Sequence, residues 1–195
     1  MLILASGSEI RATLLRNAQI PFTTALPRVD EENYRAALAA EGASAHDQAD
    51  ALAELKAAKI AAKSAGLVLG CDQILALGDR IFAKPTSIDD ARAHLRALSG
   101  QTHKLHSAAV LYEDGKPVWR HVGLARLTMR ALSDAYIDDY LARNWDSIRH
   151  AVGCYKLEEE GVRLFTAIEG SHFTILGLPL LELIAYLTRR GTLPA

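Results

Sequence analysis

Apolar and polar positions along this chain change period several times, and each change marks an element. Leu2 to Ala5 is a short unbroken apolar run, the pattern of a buried strand. Ser8 then stands where a helix N-cap belongs, and Ile10, Leu14 and Leu15 share one face of a helix reaching about Ala18. Ile20 to Ala25 reads as extended and leads into an acidic turn, Val29 to Glu32. The alanine-rich segment Asp47 to Ala65 carries the strongest helix pattern, with good helix formers throughout and Gly66 just past its end. Leu67 to Cys71 is a second buried strand, ending at a lone acid, Asp72, and Gly78-Asp79 suggests a hairpin turn beyond it.

Ser87 caps another helix, IDDARAHLRAL, which Gly100 closes after Ser99. From His103 to Leu132 apolar and polar residues alternate around Glu113-Asp114-Gly115-Lys116, which predicts a hairpin on a half-exposed sheet. Ser133 opens a helix to about Arg143, and Pro179 to Arg190 forms the last one before Gly191. Strands alternate with helices first and a β-hairpin is inserted later. The pattern predicts an α/β fold, a mixed central sheet flanked by helices.

Composition narrows the function classes. The chain has 195 residues, half of them apolar, a length that suits one domain or one domain with lobes. Its formal net charge of −1 supplies no basic field for polymeric nucleic acid. No apolar run approaches the roughly 18 residues of a membrane span, and MLILASGSE is too short and wrongly flanked for a signal peptide. Cys71 and Cys154 belong to no CxxC pair, so they are expected to be small core residues in a reducing, cytoplasmic setting rather than zinc ligands.

Three groups of residues carry candidate chemistry. In Leu4 to Arg11, LASGSEIR, a strand, a small-residue turn at Ser6-Gly7-Ser8 and a capped helix present backbone N–H groups and the positive end of a helix dipole to an anion such as phosphate. No GK[ST] follows, so it is not a Walker A loop, and a plain helix start is the competing reading. Asp72 sits where α/β proteins place ligands, at the carboxyl end of a strand, although a turn aspartate would look the same. Lys84 precedes Pro85, which biases its backbone to an extended form; Lys56 lies in the long helix, where Lys59 and Lys63 read as a solvated face. Asp30 and Glu31 are an ordinary acidic turn or, with Asp72, oxygen ligands for Mg²⁺. His103, His106, His121, His150 and His172 have no metal-ligand spacing and read as surface or packing residues.

Taken in order, these pieces resemble the Maf (septum formation inhibitor) family from end to end. The matching blocks are LASGSEIRATLL at Leu4 to Leu15, VDE at Val29 to Glu31, LAELKA at Leu52 to Ala57, GCDQ at Gly70 to Gln73 and AKP at Ala83 to Pro85. ALSGQTH at Ala97 to His103, VGCYKLEEEG at Val152 to Gly161 and IEGSHFTILGLPL at Ile168 to Leu180 follow. The resemblance implies a Maf/inosine-triphosphatase-like fold over residues 1–195, a single elongated domain with two lobes, commonly a homodimer. It also implies a nucleoside triphosphate pyrophosphatase using Mg²⁺ or Mn²⁺. By position, Asp72 matches the catalytic acid, Glu31 and Asp72 metal-associated carboxylates, and Lys56 and Lys84 phosphate-facing lysines. Ser6, Ser8 and Arg11 match the first substrate-binding turn, while Gln73 and Glu158 fall at substrate-facing positions.

Two departures stand out. The usual Ser-Pro-x-Arg-Arg becomes Ser8-Glu9-Ile10-Arg11-Ala12, without the second arginine. Gln73, Lys156 and Glu158 together look like the branch linked to 7-methyl-GTP rather than to pyrimidine triphosphates. The expected partner is a small nucleotide, with neither polymeric nucleic acid nor membrane. The alternative is a nucleotide-binding regulator of septum formation with little or no turnover, favoured by Ala12 and opposed by the retention of Asp72, Glu31, Lys56 and Lys84.

Overall fold

The computed structural model describes residues 1–194. Its elements in chain order are β1 (Leu2–Ala5), α1 (Glu9–Asn17), β2 (Phe22–Thr24), α2 (Glu31–Ala40), α3 (Ala45–Ala61), β3 (Leu67–Leu77) and β4 (Arg80–Phe82). Then come α4 (Ile88–Leu98), β5 (Thr102–Glu113), β6 (Lys116–Met129), α5 (Asp134–Ile148), β7 (Phe165–Glu169), α6 (His172–Ile175) and α7 (Leu180–Arg189). The strand order is β2-β1-β3-β5-β6-β7, with β4 pairing β3 off that path. β1 runs parallel to β2 and β3, whereas β3–β4 and β6–β7 are antiparallel. This is the mixed α/β sheet that the order of elements predicts.

The chain divides into two compact units, the first made of residues 1–73, 106–123 and the segment from Ser171 onward, the second of residues 74–105 and 124–170. In the first unit, Leu2 and Leu4 of β1, Leu67, Leu69 and Cys71 of β3, and Ala109 and Leu111 of β5 share one buried cluster with α1 and α7. Every second strand residue points the same way, so these odd and even sets each line one face of the sheet. From the helices come Ala12, Leu14 and Leu15 of α1 and Leu180, Leu183 and Leu187 of α7, the last three at i, i+3 and i+7. Each fully buried leucine contributes about 1.5–3 kcal/mol. On β3 the residues between, Val68, Gly70 and Asp72, consequently face the other side, where α3 lies. The β5–β6 turn falls at the expected Asp114-Gly115, both at positive φ (49° and 74°), the two-residue geometry that suits the twist of a hairpin.

In the second unit β3 continues to Leu77 and turns at Gly78-Asp79 into β4, with Leu77 opposite Arg80. α4 buries Ala91, His94, Leu95 and Leu98, and α5 buries Ile137, Tyr140, Leu141 and Ile148. Arg92–Asp138 and Arg96–Asp134 pairs at 2.6 and 2.7 Å join the two helices at their wet edge. Such exposed pairs contribute less than about 1 kcal/mol each, so the apolar stripes do most of the joining. β7 pairs antiparallel with β6, with a register shift between Thr128 and Met129.

Four expectations are corrected. The acidic turn at Val29 to Glu32 is the start of a helix: Asp30 caps α2 by accepting from the Asn33 backbone N–H at 3.1 Å. α2 buries no residue, so it has no apolar stripe by which the pattern would reveal it. β3 does not end at Asp72 but runs five residues further, because Ile74 and Leu75 remain buried on the sheet. α5 continues past Arg143 to Ile148, whose side chain is 1% exposed and anchors the added turn. Ser8 sits at the N-cap of α1 with no side-chain capping bond; its backbone N–H instead donates to Ser6 Oγ at 3.2 Å.

The cysteines are free and buried as expected, and burial pushes the Cys71 thiol up to about 11 and Cys154 up to about 12. His103 is a packing residue, fully buried with Nε2 2.8 Å from the Tyr155 hydroxyl. Among the described residues no helix is long and apolar enough to cross a membrane.

Candidate active site

The parallel pairing of β1 with β3 ends at Ala5 opposite Gly70. Asp72 therefore lies two residues beyond the carboxyl end of β1, although β3 itself continues. Open α/β sheets present ligand sites at such edges. Gly70 sets the depth at which α3 crosses this face: a Cβ there would fall 2.1 Å from the Ala53 carbonyl oxygen and 2.6 Å from the Ala57 nitrogen. Both are backbone atoms, so no side-chain rotation relieves the clash. Glycine alone lets the helix come this close.

That approach delivers Lys56 to Asp72. On α3 the buried positions are Gln48, Ala49, Leu52, Ala53, Lys56, Ala57 and Ile60, so Lys56 is a cation within the apolar stripe, unlike the exposed Lys59 and Lys63. Its ammonium donates to Asp72 Oδ1 at 2.6 Å and lies 3.0 Å from Glu31 Oε1. Lys56 is 6% and Asp72 5% exposed, while the Glu31 side chain at the first position of α2 is 43% exposed. One turn along α2, Arg35 Nη2 is 4.0 Å from Asp72 Oδ2. Asp72 Oδ2 and Arg35 Nε are both buried without a hydrogen-bond partner among the described residues. Two carboxylates, an ammonium and a guanidinium thus share one site of zero formal charge. Asp30, the other candidate acid, is occupied as the cap, its two oxygens accepting from the Asn33 backbone and side chain.

The small-residue turn is held by Arg11 rather than left open around it. Arg11, 9% exposed, donates from Nε to the Gly177 carbonyl at 2.8 Å and from Nη1 to Ser6 Oγ at 3.2 Å and the Cys71 carbonyl at 3.1 Å. It ties the end of β1, the middle of β3 and the loop after α6 together. Ala12, where the resemblance expects a second arginine, is 3% exposed in the core cluster with Leu2, Leu4 and Leu15. Gln73 makes a second tie: its Nε2 reaches Ser107 Oγ at 2.9 Å and the Thr174 and Ile175 carbonyls at 3.1 and 2.9 Å. Two amide hydrogens serve these three acceptors, and the Ser107 hydroxyl donates to Thr174 at 2.6 Å.

The remaining two candidates belong to the second unit. Lys84 is exposed two residues after β4. Glu158 is exposed in a turn, and its two neighbours in the acidic run are tied down within that unit. Glu159 accepts from Ser147 at 2.6 Å and Lys156 at 3.1 Å. Glu160 bonds Arg143 and Asn144, which hold its carboxyl at about 2.

Among the described residues no group of three or more His, Cys, Asp or Glu gathers to hold a metal. A hard divalent cation of the Mg²⁺ type needs fewer, one or two carboxylates completed by waters and substrate phosphates. The unpartnered Oδ2 of Asp72 and the half-exposed Glu31 are donors of that kind, so the residues fit such an ion in company with a phosphate substrate. Arg35 and the helix that carries it escape a reading of the sequence, for want of any apolar pattern in α2. Lys56 had a signal, its place inside the apolar stripe of α3.

A buried lysine–carboxylate cluster thus lies at a strand edge of a mixed α/β sheet, the kind of edge where such folds present ligand sites. The chain belongs to the Maf family: the family model described as Maf-like protein matches residues 1–190. It is 63% identical over 193 residues to a nucleoside triphosphate pyrophosphatase of Ruegeria pomeroyi, covering 98% of this chain and 97% of that protein. A protein of the same name from Roseobacter denitrificans is 61% identical, covering 99% and 98%. A 7-methyl-GTP pyrophosphatase of Brucella abortus is 48% identical over 96% of this chain and 95% of its own.

Proposed function

We propose that this chain hydrolyses a nucleoside triphosphate to the nucleoside monophosphate and pyrophosphate. The observation that carries the reading is the Lys56 ammonium held between Asp72 and Glu31 with the second oxygen of Asp72 buried and unpartnered. That oxygen is the acceptor left for a water molecule that enters with the substrate, and it aims that water. The water oxygen attacks the α-phosphorus, the bond from the α-phosphorus to the bridging oxygen breaks, and pyrophosphate leaves with the electron pair. The water's proton passes to Asp72 Oδ2. Lys56 fixes the carboxylate's position and offsets its charge while phosphate charge builds nearby. Lys84 is assigned a phosphate-neutralising role. Phosphoryl transfer is served by such positioning and charge stabilisation more than by covalent chemistry. Mg²⁺ or Mn²⁺ held by Glu31 and Asp72 would supply charge neutralisation and polarise the phosphate oxygens. Ser6, Ser8 and Arg11 shape the turn at the substrate's edge.

For the base, the reading is a modified purine, 7-methyl-GTP. It is supported by the Brucella relative's name and by Glu158, an exposed carboxylate without the local ties of Glu159 and Glu160, suited to a cationic ring. Gln73 contributes by fixing the loop around Thr174 and Ile175. A cytoplasmic homodimer completes the proposal.

The test is a panel of 7-methyl-GTP, GTP, UTP and dTTP incubated with Mg²⁺ or Mn²⁺ and scored separately for pyrophosphate and phosphate. Pyrophosphate with a monophosphate product, abolished by EDTA and fastest for 7-methyl-GTP, is the expected result. Single phosphate with a diphosphate product would overturn the reaction. Nucleotide binding without turnover would return the chain to the regulator of septum formation.

A further inference from the structure

Two guanidinium groups in the first unit approach β3, and the fold holds them in opposite ways. Arg11 places Nε and Nη1 on three protein oxygens at 2.8 to 3.2 Å. Arg35 has no such set. Among the described residues its Nε is buried without a partner, and its Nη2 stands 4.0 Å from Asp72 Oδ2, beyond hydrogen-bond reach. That oxygen also lacks a donor, so a buried charged donor and a buried charged acceptor face each other unbonded. An arginine that served only to pair Asp72 would close to about 2.7–2.9 Å, the ordinary length of a charge-assisted bond.

The helix that carries Arg35 has little apolar reason to lie where it does, since α2 fully buries none of its residues and Leu38 is its one half-buried leucine. What it brings to the site is polar: Glu31 on Lys56 and, one turn later, Arg35 beside Asp72. The site's charge points the same way. A triphosphate adds several negative charges to Glu31 and Asp72, and the buried Lys56 opposes them with one. A planar guanidinium with free donors matches phosphate oxygens two at a time, which an ammonium does not.

We propose that Arg35 is a phosphate-binding residue of this site, gripping the pyrophosphate portion of the triphosphate through its Nε and Nη donors. The inference rests on the triphosphate reading above and adds a residue to it. In the resting protein the guanidinium hovers over Asp72 without bonding it. Substrate phosphate satisfies the donors, and Asp72 Oδ2 is left for the water.

Titration calorimetry with inorganic pyrophosphate at fixed Mg²⁺ tests the grip without turnover. Arg35→Gln is expected to weaken pyrophosphate binding about 10- to 100-fold, the worth of one bidentate charge-assisted contact, with Arg35→Lys recovering part of it. Nucleoside monophosphate binding should stay within about twofold, and KM for the triphosphate should rise by more than kcat falls. Because α2 buries no residue, the melting temperature should hold. Unchanged pyrophosphate affinity in Arg35→Gln, with kcat or melting temperature reduced, would assign Arg35 to supporting Asp72 and overturn the proposal. A wild type that binds pyrophosphate but hydrolyses no nucleotide, and loses that binding in Arg35→Gln, would keep Arg35 in its role while removing the hydrolase reading.

Discussion

Replacing Lys56 by methionine keeps most of the side chain's bulk and removes its ammonium. Asp72 then remains in place with a buried carboxylate whose nearest cation is Arg35 Nη2 at 4.0 Å. The Asp72 and Lys56 side chains are 7% and 8% exposed, so water screens the lost pair very little. Breaking a buried pair from one side costs about 3–5 kcal/mol. The second contact, to the 43% exposed Glu31, adds little. For a chain of this length 1 kcal/mol moves the melting temperature by about 2–4 °C, so Lys56→Met should melt roughly 10 °C below wild type. Asp72→Asn introduced into that background removes the stranded charge. The double variant should therefore be more stable than the sum of the single losses by about 2 kcal/mol or more, a coupling measurable in a double-mutant cycle. Circular dichroism melts and urea titrations of the four proteins give the numbers. Strictly additive losses, or a single-variant cost below about 1 kcal/mol, would refute the claim that this pair is buried and mutually compensating.

Three further outcomes follow from particular residues. Gly70→Ala puts a Cβ 2.1 Å from the Ala53 carbonyl, so α3 must shift by more than about 1 Å; a loss of at least the 1–3 kcal/mol typical of overpacking is expected, with turnover reduced because Lys56 moves with the helix, and a variant with wild-type melting and activity would show the contact to be loose. Asp72→Asn should stay folded while kcat falls at least about a hundredfold in the pyrophosphate-release assay, and wild-type turnover would reduce Asp72 to a structural acid. His103 is held neutral by burial, which lowers it from 6.5 to about 4; the unfolded chain takes up the proton first, so stability drops by about 3 kcal/mol as pH falls from about 6.5 to 4 and no further below. Urea midpoints across that window should fall less steeply in His103→Gln than in wild type, and equal slopes would show that His103 is not the titrating group.

How much of this was written locally can be judged element by element. The β5–β6 hairpin and helices α1, α4 and α7 announce themselves because burying one face imposes a period of two or 3.6, β1 and β3 because burial on both faces makes an unbroken apolar run, and α3 through its helix formers. The Asp114-Gly115 turn is local too, since its backbone demands residues that tolerate positive φ. The ordered blocks that mark the family are likewise legible in one dimension, and the match over residues 1–190 shows it. Where burial leaves no period, local reading failed. α2 fully buries no residue and reads as an acidic turn, and β3 outruns its parallel partner, so Asp72 does not mark its end.

The site was decided in three dimensions. Asp72, Lys56 and Glu31 each stand out along the chain, but nothing local says that one ammonium serves both carboxylates at 2.6 and 3.0 Å. That meeting depends on a missing side chain at Gly70, on the register that ends β1 at Ala5, and on a cap that starts α2 at Asp30. Nor does the sequence distinguish Arg11, whose donors are satisfied within the protein, from Arg35, whose Nε is left without a partner. Periodicity records which way a residue faces. Which charges then meet, and which stay unsatisfied, is set by contacts between segments far apart in the chain, and only the packed fold brings those together.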